Sequence, residues 1–420
     1  MYIAYNLFLM AATVLFFPVI LFKLITVPKY RAGLTQKLGR LRKGVLKVIK
    51  GTRPIWVHAV SVGEVMAAHP LIRELKKKYP NRKLILSTVT VTGHYTARRR
   101  VPEADAVFYF PFDYPCIVRR VIQGINPAVV LVAETELWPN FLRELNRARI
   151  PSALINGRIS PKSHKNYLKF KAFFSQVFDQ VTLFCMQSEE DGHRIEDIGA
   201  HPEKVMITGN LKFDQKIPIT RSNLIAIPPD KKVITAGSTH RGEETALIEI
   251  FSRLREKYPE LLLIIAPRHP ERFDEVEGVI HSAGYDCQRR TSLRGPVKDV
   301  LLLDTIGELR SFYAICDIAF VGGSLVKVGG HNLLEPAAMK KPVIFSRYMF
   351  NFKEISEALM SSGGGIMVKD KGELYVQLDN LLSDPERAKR MGERAFRIIE
   401  ANSGAAKKTL DAIGRLIVAH

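Results

Sequence analysis

The segment IWVHAVSVGEVMAAHP, residues 55–70, contains a strand pattern, a glycine turn and the start of a helix. Apolar side chains dominate residues 55–60, Gly63 follows them, and an amphipathic pattern of helical period begins at Glu64. A strand that passes through a turn into a helix is the repeating unit of a parallel α/β sheet. Glu64 is also the first carboxylate of the chain, because residues 1–63 contain no Asp or Glu.

The same unit recurs along the 420-residue chain. Strand patterns occupy residues 55–60, 83–89, 106–110, 128–134, 152–156, 181–187 and 205–210, and then 233–237, 261–267, 299–304, 317–323, 342–346 and 365–368. Helical patterns lie between them, for example at 71–79, 117–124 and 167–178. The sequence therefore predicts an α/β fold of two Rossmann-like, doubly wound halves, whose strand ends face each other across a ligand-binding cleft.

Domain boundaries follow from where these patterns stop. Residues 216–230 lack a regular pattern and are predicted to form a linker. The linker separates an N-terminal domain, residues 54–215, from a C-terminal domain, residues 231–400. The tail of the chain from Gly372 onward is helical and amphipathic and ends in a helix at residues 401–420, and we expect this tail to pack back across the halves.

The N-terminus has the pattern of a membrane anchor. Residues 3–22 contain no charged side chain, and from Lys23 to Arg53 there are ten Lys or Arg and no acid. We predict a transmembrane or membrane-anchor helix at residues 1–27 and a basic juxtamembrane segment at 28–53, with the body of the protein in the cytoplasm. No basic residue precedes the apolar run, which disfavours a cleaved signal peptide. Because Asn6 and Pro18 weaken a span, a buried or interfacial helix is the alternative.

Charge and missing motifs exclude several classes of protein. The net charge is +20, but half of the excess flanks the apolar segment and no nucleic-acid-binding module is present, so we expect an anionic membrane surface as partner and no nucleic acid. The sequence contains no Walker A motif, no G-x-S-x-G and no G-x-G-x-x-G after the first strand. Four scattered cysteines and the absence of a D-x-D or an Asp/Glu/His cluster predict neither a disulfide framework nor a metal site.

Candidate catalytic residues lie at strand ends in the first half. Ser61 and Glu64 fit a helix-capping box, but a carboxylate at this place can equally act as a general base. Glu134 and Glu136 follow the strand at 128–134; the alternative is that they are ordinary helix N-terminal acids. Lys212, just beyond the last strand of this half, can neutralise a phosphate leaving group or be a solvated lysine.

Candidate nucleotide-binding residues lie at strand ends in the second half. The segment FVGGSLVKVGGHNLLEP, residues 320–336, has two glycine pairs before a helix predicted to open near His331 and Asn332, which suits a phosphate, and Glu335 can accept the hydroxyls of a ribose. The alternative is a glycine-rich turn. Three other strand ends also lead into helices. Together with the glycine pairs of 320–336 they contribute candidates for phosphate, sugar or base contacts: Ser238, Thr239, Arg268, Ile306, Gly307, Glu308, Gly322, Gly323, Ser324, Gly329 and Gly330.

Together these motifs resemble the 3-deoxy-D-manno-octulosonic acid (Kdo) transferase family. The resemblance runs from the anchor to about residue 360 and rests on HAVSVGE, ETELWPN, QSEEDGHR, GNLKFD, GSTHRGEE, PRHPER, DTIGEL, FVGGSLVKVGGHNLLEP and the pair Asn351-Phe352. The match departs slightly at Asn210, where serine is expected as often.

The resemblance implies a metal-independent, inverting glycosyltransferase of the GT-B fold, without a cofactor, at the cytoplasmic side of the inner membrane. It implies CMP-Kdo as donor and a lipid A precursor as acceptor. Glu64 matches the general base, and Glu134 and Lys212 match positions that stabilise the transition state. The CMP-binding segments match Pro267, Arg268, Ile306, Gly307, Glu308, Asn332, Leu333, Leu334 and Glu335. The alternative is a GT-B transferase that uses another CMP- or UDP-sugar with a lipid acceptor.

Overall fold

The computed structural model describes residues 1–215, 227–228 and 230–418. The chain forms two compact units. Unit 1 comprises Met1–Gln215 and Asn402–His420, and unit 2 comprises Lys216–Ala401. The predicted linker, residues 216–230, lies outside the described residues except for positions 227, 228 and 230.

Unit 1 contains a seven-stranded sheet of order β3-β2-β1-β4-β5-β6-β7. Its strands are β1 (Ile55–His58), β2 (Leu84–Thr88), β3 (Ala106–Tyr109), β4 (Val129–Ala133), β5 (Ser152–Gly157), β6 (Leu183–Met186) and β7 (Val205–Ile207). All neighbouring strands pair in parallel. Parallel strands are covered by helices on both faces, which is why β1, β2 and β4 are buried throughout and read as continuous apolar runs.

Eleven helices of unit 1 precede the second sheet. They are α1 (Tyr2–Thr26), α2 (Pro28–Arg31), α3 (Leu34–Lys37), α4 (Lys43–Ile49), α5 (Val62–Lys78), α6 (Val91–Arg100), α7 (Pro115–Ile125), α8 (Pro139–Arg147), α9 (Pro161–Leu168), α10 (Lys171–Phe178) and α11 (Glu189–Ile198), with 3-10 turns at Pro202–Lys204 and Leu211–Asp214. One core cluster contains Trp56, Phe108 and Phe141, and the other contains Val57, Leu71 and Leu131.

Unit 2 contains a second parallel sheet, of order β10-β11-β9-β8-β12-β13-β14. Its strands are β8 (Lys232–Thr239), β9 (Leu261–Pro267), β10 (Cys287–Arg289), β11 (Val300–Leu302), β12 (Ile318–Val321), β13 (Val343–Ser346) and β14 (Gly365–Val368). Its helices are α12 (Glu243–Lys257), α13 (Phe273–Ser282), α14 (Leu309–Ile315), α15 (Leu334–Ala338), α16 (Lys353–Ser361), α17 (Lys371–Ser383) and α18 (Pro385–Asn402).

The last helix, α19 (Ala405–Val418), belongs to unit 1. Its apolar side chains, among them Leu410 and Ile413, join the core cluster that contains Leu71 of α5. At its start, the Asp214 carboxylate accepts hydrogen bonds of 2.6 and 2.5 Å from the amides of Gly404 and Ala406. An acid at a helix N-terminus satisfies free amides and interacts favourably with the helix dipole. The tail of the chain therefore completes the N-terminal unit.

Each sheet has a point where the strand order reverses. In unit 1 the chain proceeds outward from β1 to β2 and β3, and then continues on the other side of β1 with β4. In unit 2 the strand order reverses between β8 and β12, as it does between β1 and β4 in unit 1. The loops at the carboxyl ends of two strands that flank such a point diverge and leave a crevice, where open α/β sheets bind ligands.

All thirteen predicted strands are present, with ends shifted by a few residues. Three local predictions differ from the structure. The short edge strand β10 was not predicted, because the sequence Cys287–Arg289 is polar and has no strand period. The helix predicted at 167–178 is two helices, α9 and α10, which are separated at Lys169 and Phe170. The helix predicted to open near His331 begins at Leu334.

Candidate active site

Glu64 lies at the start of α5, beside the switch point of unit 1. Its carboxylate accepts hydrogen bonds of 2.8 Å from the Val60 amide and 2.8 Å from the Ser61 hydroxyl, while its own amide donates to Ser61 Oγ at 3.5 Å. The capping role predicted for this pair is therefore present. Glu64 is 8% exposed, and burial raises the pKa of its carboxyl more than these hydrogen bonds lower it, with a further rise from the Glu134 charge.

Glu134 directly follows β4, the neighbour of β1 across the switch point. Its backbone has φ 54°, in the left-handed region that non-glycine residues rarely adopt. Its amide donates to the Ile155 carbonyl at 2.9 Å, which fixes this turn against β5. Strained backbone of this kind is concentrated at functional sites, where the surrounding structure maintains it.

Lys212 pairs with Glu134, and its Nζ lies 3.6 Å from Glu134 Oε1. The 3-10 turn Leu211–Asp214 holds it in place, since the Asn210 side chain accepts from the Lys212 amide at 3.0 Å and Leu211 is fully buried. The substitution of Asn for Ser at 210 therefore keeps a side-chain oxygen that caps the turn. The Lys212 side chain is about one-fifth exposed, so it is not the solvated lysine of the alternative interpretation.

Glu136 is a third carboxylate in this cluster. Burial raises its pKa to about 7, and the charges of Glu64 and Glu134 contribute to the rise. Burial and neighbouring carboxylates raise the pKa values of Glu64 and Glu136, and such groups beside one lysine form a site that can hold or accept a proton near neutral pH. The structure thus brings together Glu64, Glu134 and Lys212, and adds Glu136.

In unit 2, the glycine loop after β12 has a partner that the sequence analysis missed. Glu243, the first residue of α12, is fully buried. Its carboxylate accepts from the amides of His240 at 2.9 Å, Gly323 at 2.7 Å, Ser324 at 3.1 Å and Leu325 at 2.9 Å. Burial raises the pKa of Glu243, and the four amide donors oppose that rise.

This arrangement corrects part of the predicted phosphate site. The amides of Gly323 and Ser324, which we expected to face a phosphate, donate to Glu243 instead, and the Ser324 hydroxyl donates to the Val321 carbonyl at 2.6 Å. Gly322 has a packing role, because a Cβ there would lie 2.7 Å from the Ser238 carbonyl oxygen and from Thr239 Cα. The segment GSTHRGEE leads into α12 as predicted, but its acids were not identified as partners of the glycine loop.

Gly329 and Gly330 have φ values of 112° and 74°. A Cβ would lie 2.3 Å from Asn351 Nδ2 at Gly329 and 2.2 Å from Met349 Sδ at Gly330. Both glycines therefore allow the loop before α15 to pack against the segment after β13. Ser238 also has a left-handed backbone, with φ 57°, while Thr239 is buried and its carbonyl accepts from the Arg268 amide at 3.0 Å.

A histidine cluster surrounds the switch point of unit 2, and sequence analysis did not find it. His240 Nε2 lies 2.8 Å from His331 Nε2, with the two rings stacked, and His269 meets the His240 ring edge-on. Burial lowers the pKa of His331 to about 3, with contributions from His240, Arg268 and His269. The contact between two Nε2 atoms requires one to donate and the other to accept. The exposed Arg268 side chain lies on the loop after β9, next to this cluster.

The two acids predicted to contact the nucleoside each have a basic neighbour. Arg310 Nε donates to Glu335 Oε1 at 3.1 Å, and Arg290 Nη2 donates to Glu308 Oε1 at 3.3 Å. Thr305 also donates to Glu308. Asn332 Oδ1 accepts from the amide of Leu334, the first residue of α15, at 3.1 Å, and Leu333 and Leu334 are buried. Pro267 ends β9, whereas Ile306 is exposed and Gly307 has φ 98°.

No group of three or more His, Cys, Asp or Glu side chains with metal-binding placement occurs within residues 1–215, 227–228 and 230–418.

Comparison with known proteins identifies the family. Residues 32–215 match a family model described as 3-deoxy-D-manno-octulosonic-acid transferase, and residues 230–397 match one described as glycosyl transferases group 1. The 3-deoxy-D-manno-octulosonic acid transferase of Haemophilus influenzae is 37% identical over 397 residues, 91% of each chain. That of Bordetella pertussis is 34% identical over 374 residues, 86% of each chain.

A solved structure of UDP-N-acetylglucosamine 2-epimerase has a TM-score of 0.59 at 15% identity and covers 87% of this chain and 97% of its own. This likeness confirms the predicted fold of two Rossmann-like domains. The matches to the transferases extend over both units and include the segments that contain Glu64, Lys212 and Arg268. The chain therefore belongs to the 3-deoxy-D-manno-octulosonic acid transferase family of glycosyltransferases.

Proposed function

We propose that the chain transfers Kdo from CMP-Kdo to a lipid A precursor, a phosphorylated and acylated glucosamine disaccharide, at the cytoplasmic side of the inner membrane. The observation that carries this proposal is the Glu64 carboxylate, buried at a switch point beside the Glu134 and Lys212 pair. A raised pKa makes Glu64 a stronger base than an ordinary glutamate. Family membership supports Kdo as the transferred sugar.

In the proposed reaction, an acceptor hydroxyl attacks the anomeric carbon of Kdo. The new carbon–oxygen bond forms as the bond to the CMP phosphate breaks on the opposite face, so the configuration is inverted. The hydroxyl proton passes to a Glu64 oxygen, and CMP leaves with the bonding electron pair. Charge builds up on the departing phosphate and positive charge on the sugar ring, and these are the charges that preorganised side chains stabilise in a transition state.

The other candidate residues have distinct roles in this proposal. Lys212 neutralises phosphate charge, and Glu134 both orients Lys212 and stabilises the positive ring. Arg268 is exposed and suits an anionic phosphate, because a guanidinium donates two parallel hydrogen bonds. Glu308 and Glu335 retain carboxylate oxygens for the base and ribose while their arginine partners hold them in place. These cationic groups supply the phosphate charge compensation without a metal.

The test is transfer from CMP-Kdo to a lipid A precursor in detergent, with EDTA present, by the wild type and by Glu64→Gln. Glutamine keeps the size and one acceptor oxygen of the cap but cannot take a proton. We expect the folded variant to lose activity by at least about 100-fold, the range typical of a general base. Glu74→Gln, on the same helix, is the matched control and should retain full activity.

Two results would contradict the proposal. If Glu64→Gln retains most of the activity, Glu64 is only a helix cap. If EDTA abolishes transfer and a divalent cation restores it, the proposed charge compensation is wrong. A donor panel of CMP-Kdo, another CMP-sugar and UDP-N-acetylglucosamine separates the proposed donor from the alternative, since only CMP-Kdo should support transfer.

A further inference from the structure

The first half of α1 is bound to unit 1 through one face. Tyr2, Tyr5, Asn6, Leu9 and Ala12 are partly buried, at the spacing of one helical stripe, whereas residues 14–23 are all exposed. The contacts of this stripe are polar as well as apolar. Tyr5 Oη donates to Asp113 Oδ2 at 3.0 Å, and Asn140 Nδ2 donates to Asn6 Oδ1 at 2.7 Å.

Thr13 lies at the C-terminal end of the part of α1 that contacts unit 1. Its hydroxyl contacts the Tyr114 hydroxyl, which also donates to the Leu9 carbonyl at 3.3 Å. Asp113 itself is buried and accepts from the amides of Asn140 and Phe141, so it is part of the folded domain and not a surface group. The N-terminal end of α1 is therefore attached to the domain at residues 113–114 and 140.

The segment after α1 returns to the same place. The Gln36 side chain is 1% exposed and accepts from the Tyr109 amide at 3.0 Å. The Phe112 amide donates to the Lys37 carbonyl at 2.8 Å. Gly33 packs so closely that a Cβ would lie 1.9 Å from the Tyr109 ring. Residues 109–114 thus contact both the N-terminal half of α1 and the segment that follows α1.

The unbound part of α1 is too short to cross a bilayer. Residues 14–26 have a length of about 20 Å at 1.5 Å per residue, whereas the hydrocarbon core is about 30 Å thick. Its exposed side chains include Phe16, Phe17 and Phe22, which suit acyl chains. The carbonyl oxygens at the end of the helix have a hydrogen-bond partner within the segment, because Arg31 donates to those of Leu24 and Ile25 at 2.7 Å each.

We propose that α1 is a monotopic anchor whose exposed half inserts into one leaflet without crossing the bilayer, so that Met1 and the juxtamembrane segment lie on the same side of the membrane as unit 1. A spanning helix must place its two ends on opposite sides of the membrane, whereas the N-terminal half of α1 and the segment after α1 both bind residues 109–114. The hydropathy pattern favours a helix that spans the membrane, whereas these contacts favour a hydrophobic segment that inserts into one leaflet. This proposal concerns the anchor alone and does not depend on the transfer reaction.

The partner of the exposed surface is an anionic lipid leaflet. Next to α1, the rings of Tyr2 and Tyr5 pack on Phe173 of α10 at centroid distances of 6.1 and 5.7 Å. The break between α9 and α10 exposes Phe170 by 65% and Leu168 by 39%. Lysines flank these side chains, at positions 162, 165, 169 and 171. Apolar side chains surrounded by lysines complement acyl chains below anionic headgroups.

The test locates the N-terminus relative to unit 1. A ten-residue Gly-Ser extension that carries one cysteine is placed before Met1, in a chain with Cys116→Ser and Cys287→Ser; the remaining cysteines, Cys185 and Cys316, are buried. A second chain, with the same two Cys→Ser substitutions but without the extension, carries Glu203→Cys. The side chain at position 203 is exposed in unit 1. A membrane-impermeant maleimide is applied to spheroplasts and to inverted inner-membrane vesicles.

The flexible extension reaches water on either side of the membrane. A monotopic anchor predicts that the extension and Glu203→Cys are labelled in the same preparation and protected in the other. Labelling of the two cysteines in opposite preparations would show that α1 spans the bilayer and would overturn the proposal. Both outcomes are independent of transferase activity, so they leave the proposed function untouched.

Discussion

Lys212 Nζ lies 3.6 Å from Glu134 Oε1, and this pair connects the turn after the edge strand β7 with the turn after β4 at the switch point. Glu134 follows β4, and Lys212 lies on the turn that follows β7. The lysine forms an ion pair with Glu134, and burial together with the Glu134 charge raises the pKa values of Glu64 and Glu136. The lysine therefore places one positive charge beside a cluster of three carboxylates.

Lys212→Met is expected to lower kcat for Kdo transfer by about 100-fold or more, because preorganised charges at a reacting centre contribute on that scale. Lys212→Arg should recover part of the loss, since it restores the cation. Steady-state kinetics with CMP-Kdo measures the change, and Lys204→Met is the control for a lysine of unit 1 outside the cluster. A rise in KM without a fall in kcat would assign Lys212 to ground-state binding.

Glu136→Gln is expected to change the pH dependence of stability. Burial raises the pKa of folded Glu136 to about 7 from its ordinary value of 4.5, so the folded state binds the proton more tightly than the unfolded state. The stability from this group is fully present below pH 4.5 and is lost as the pH rises through about 7. The variant cannot ionise, and we expect it to be more stable than the wild type at pH 8 by on the order of 1 kcal/mol after solvent screening.

Urea unfolding between pH 5 and pH 8 measures this difference. The gap between Glu136→Gln and the wild type should widen with pH, whereas Glu74→Gln should follow the wild type. A constant gap across this range would mean that Glu136 does not titrate there in the folded protein.

Site residues could be predicted from the sequence where the pattern that marks them is local. Glu64, Glu134 and Arg268 were predicted because a strand, a turn and a helix lie within a few residues, and the end of the strand specifies the position of the side chain. The contact between His240 and His331 joins residues 91 positions apart, and no local period marks it.

The N-terminal helix illustrates the same limit. Hydropathy identified the apolar segment, and Asn6 counted only against a membrane span. The partner of Asn6 is Asn140, 134 residues away, and that of Tyr5 is Asp113, 108 residues away. A polar residue in an apolar helix can weaken a span or mark a protein contact, and only the three-dimensional position of its partner distinguishes these cases.

Glu243→Ala is expected to destabilise unit 2 by about 3 kcal/mol or more, because the amides of His240, Gly323, Ser324 and Leu325 lose their acceptor and the hydrogen bonds from Gly323 and Ser324 are buried. Glu243→Gln should recover less than half of the lost stability, since the NH2 group of its side chain would face backbone N–H donors. Thermal unfolding of the purified chain measures the effect. Glu249→Gln, which removes an exposed ion pair with Lys371, is the control and should leave unfolding nearly unchanged. Equal stability of Glu243→Ala and the wild type would contradict the structural role of this carboxylate.

Tyr5→Phe and Asp113→Ala should both remove the hydrogen bond between the Tyr5 hydroxyl and the Asp113 carboxylate. The phenol donates to a buried carboxylate, so its loss is expected to cost about 1–2 kcal/mol, and Asp113→Ala should cost more because it also removes the acceptor for Asn140 and Phe141. The double variant should be less destabilised than the sum of the single ones by about 1 kcal/mol, since Tyr5 has lost its acceptor. Thermal unfolding in detergent and in lipid nanodiscs measures this coupling in both environments. A coupling that is present in detergent and zero in nanodiscs would show that α1 leaves the domain when it enters a bilayer, whereas equal coupling means that the helix stays bound to residues 109–114 in the membrane.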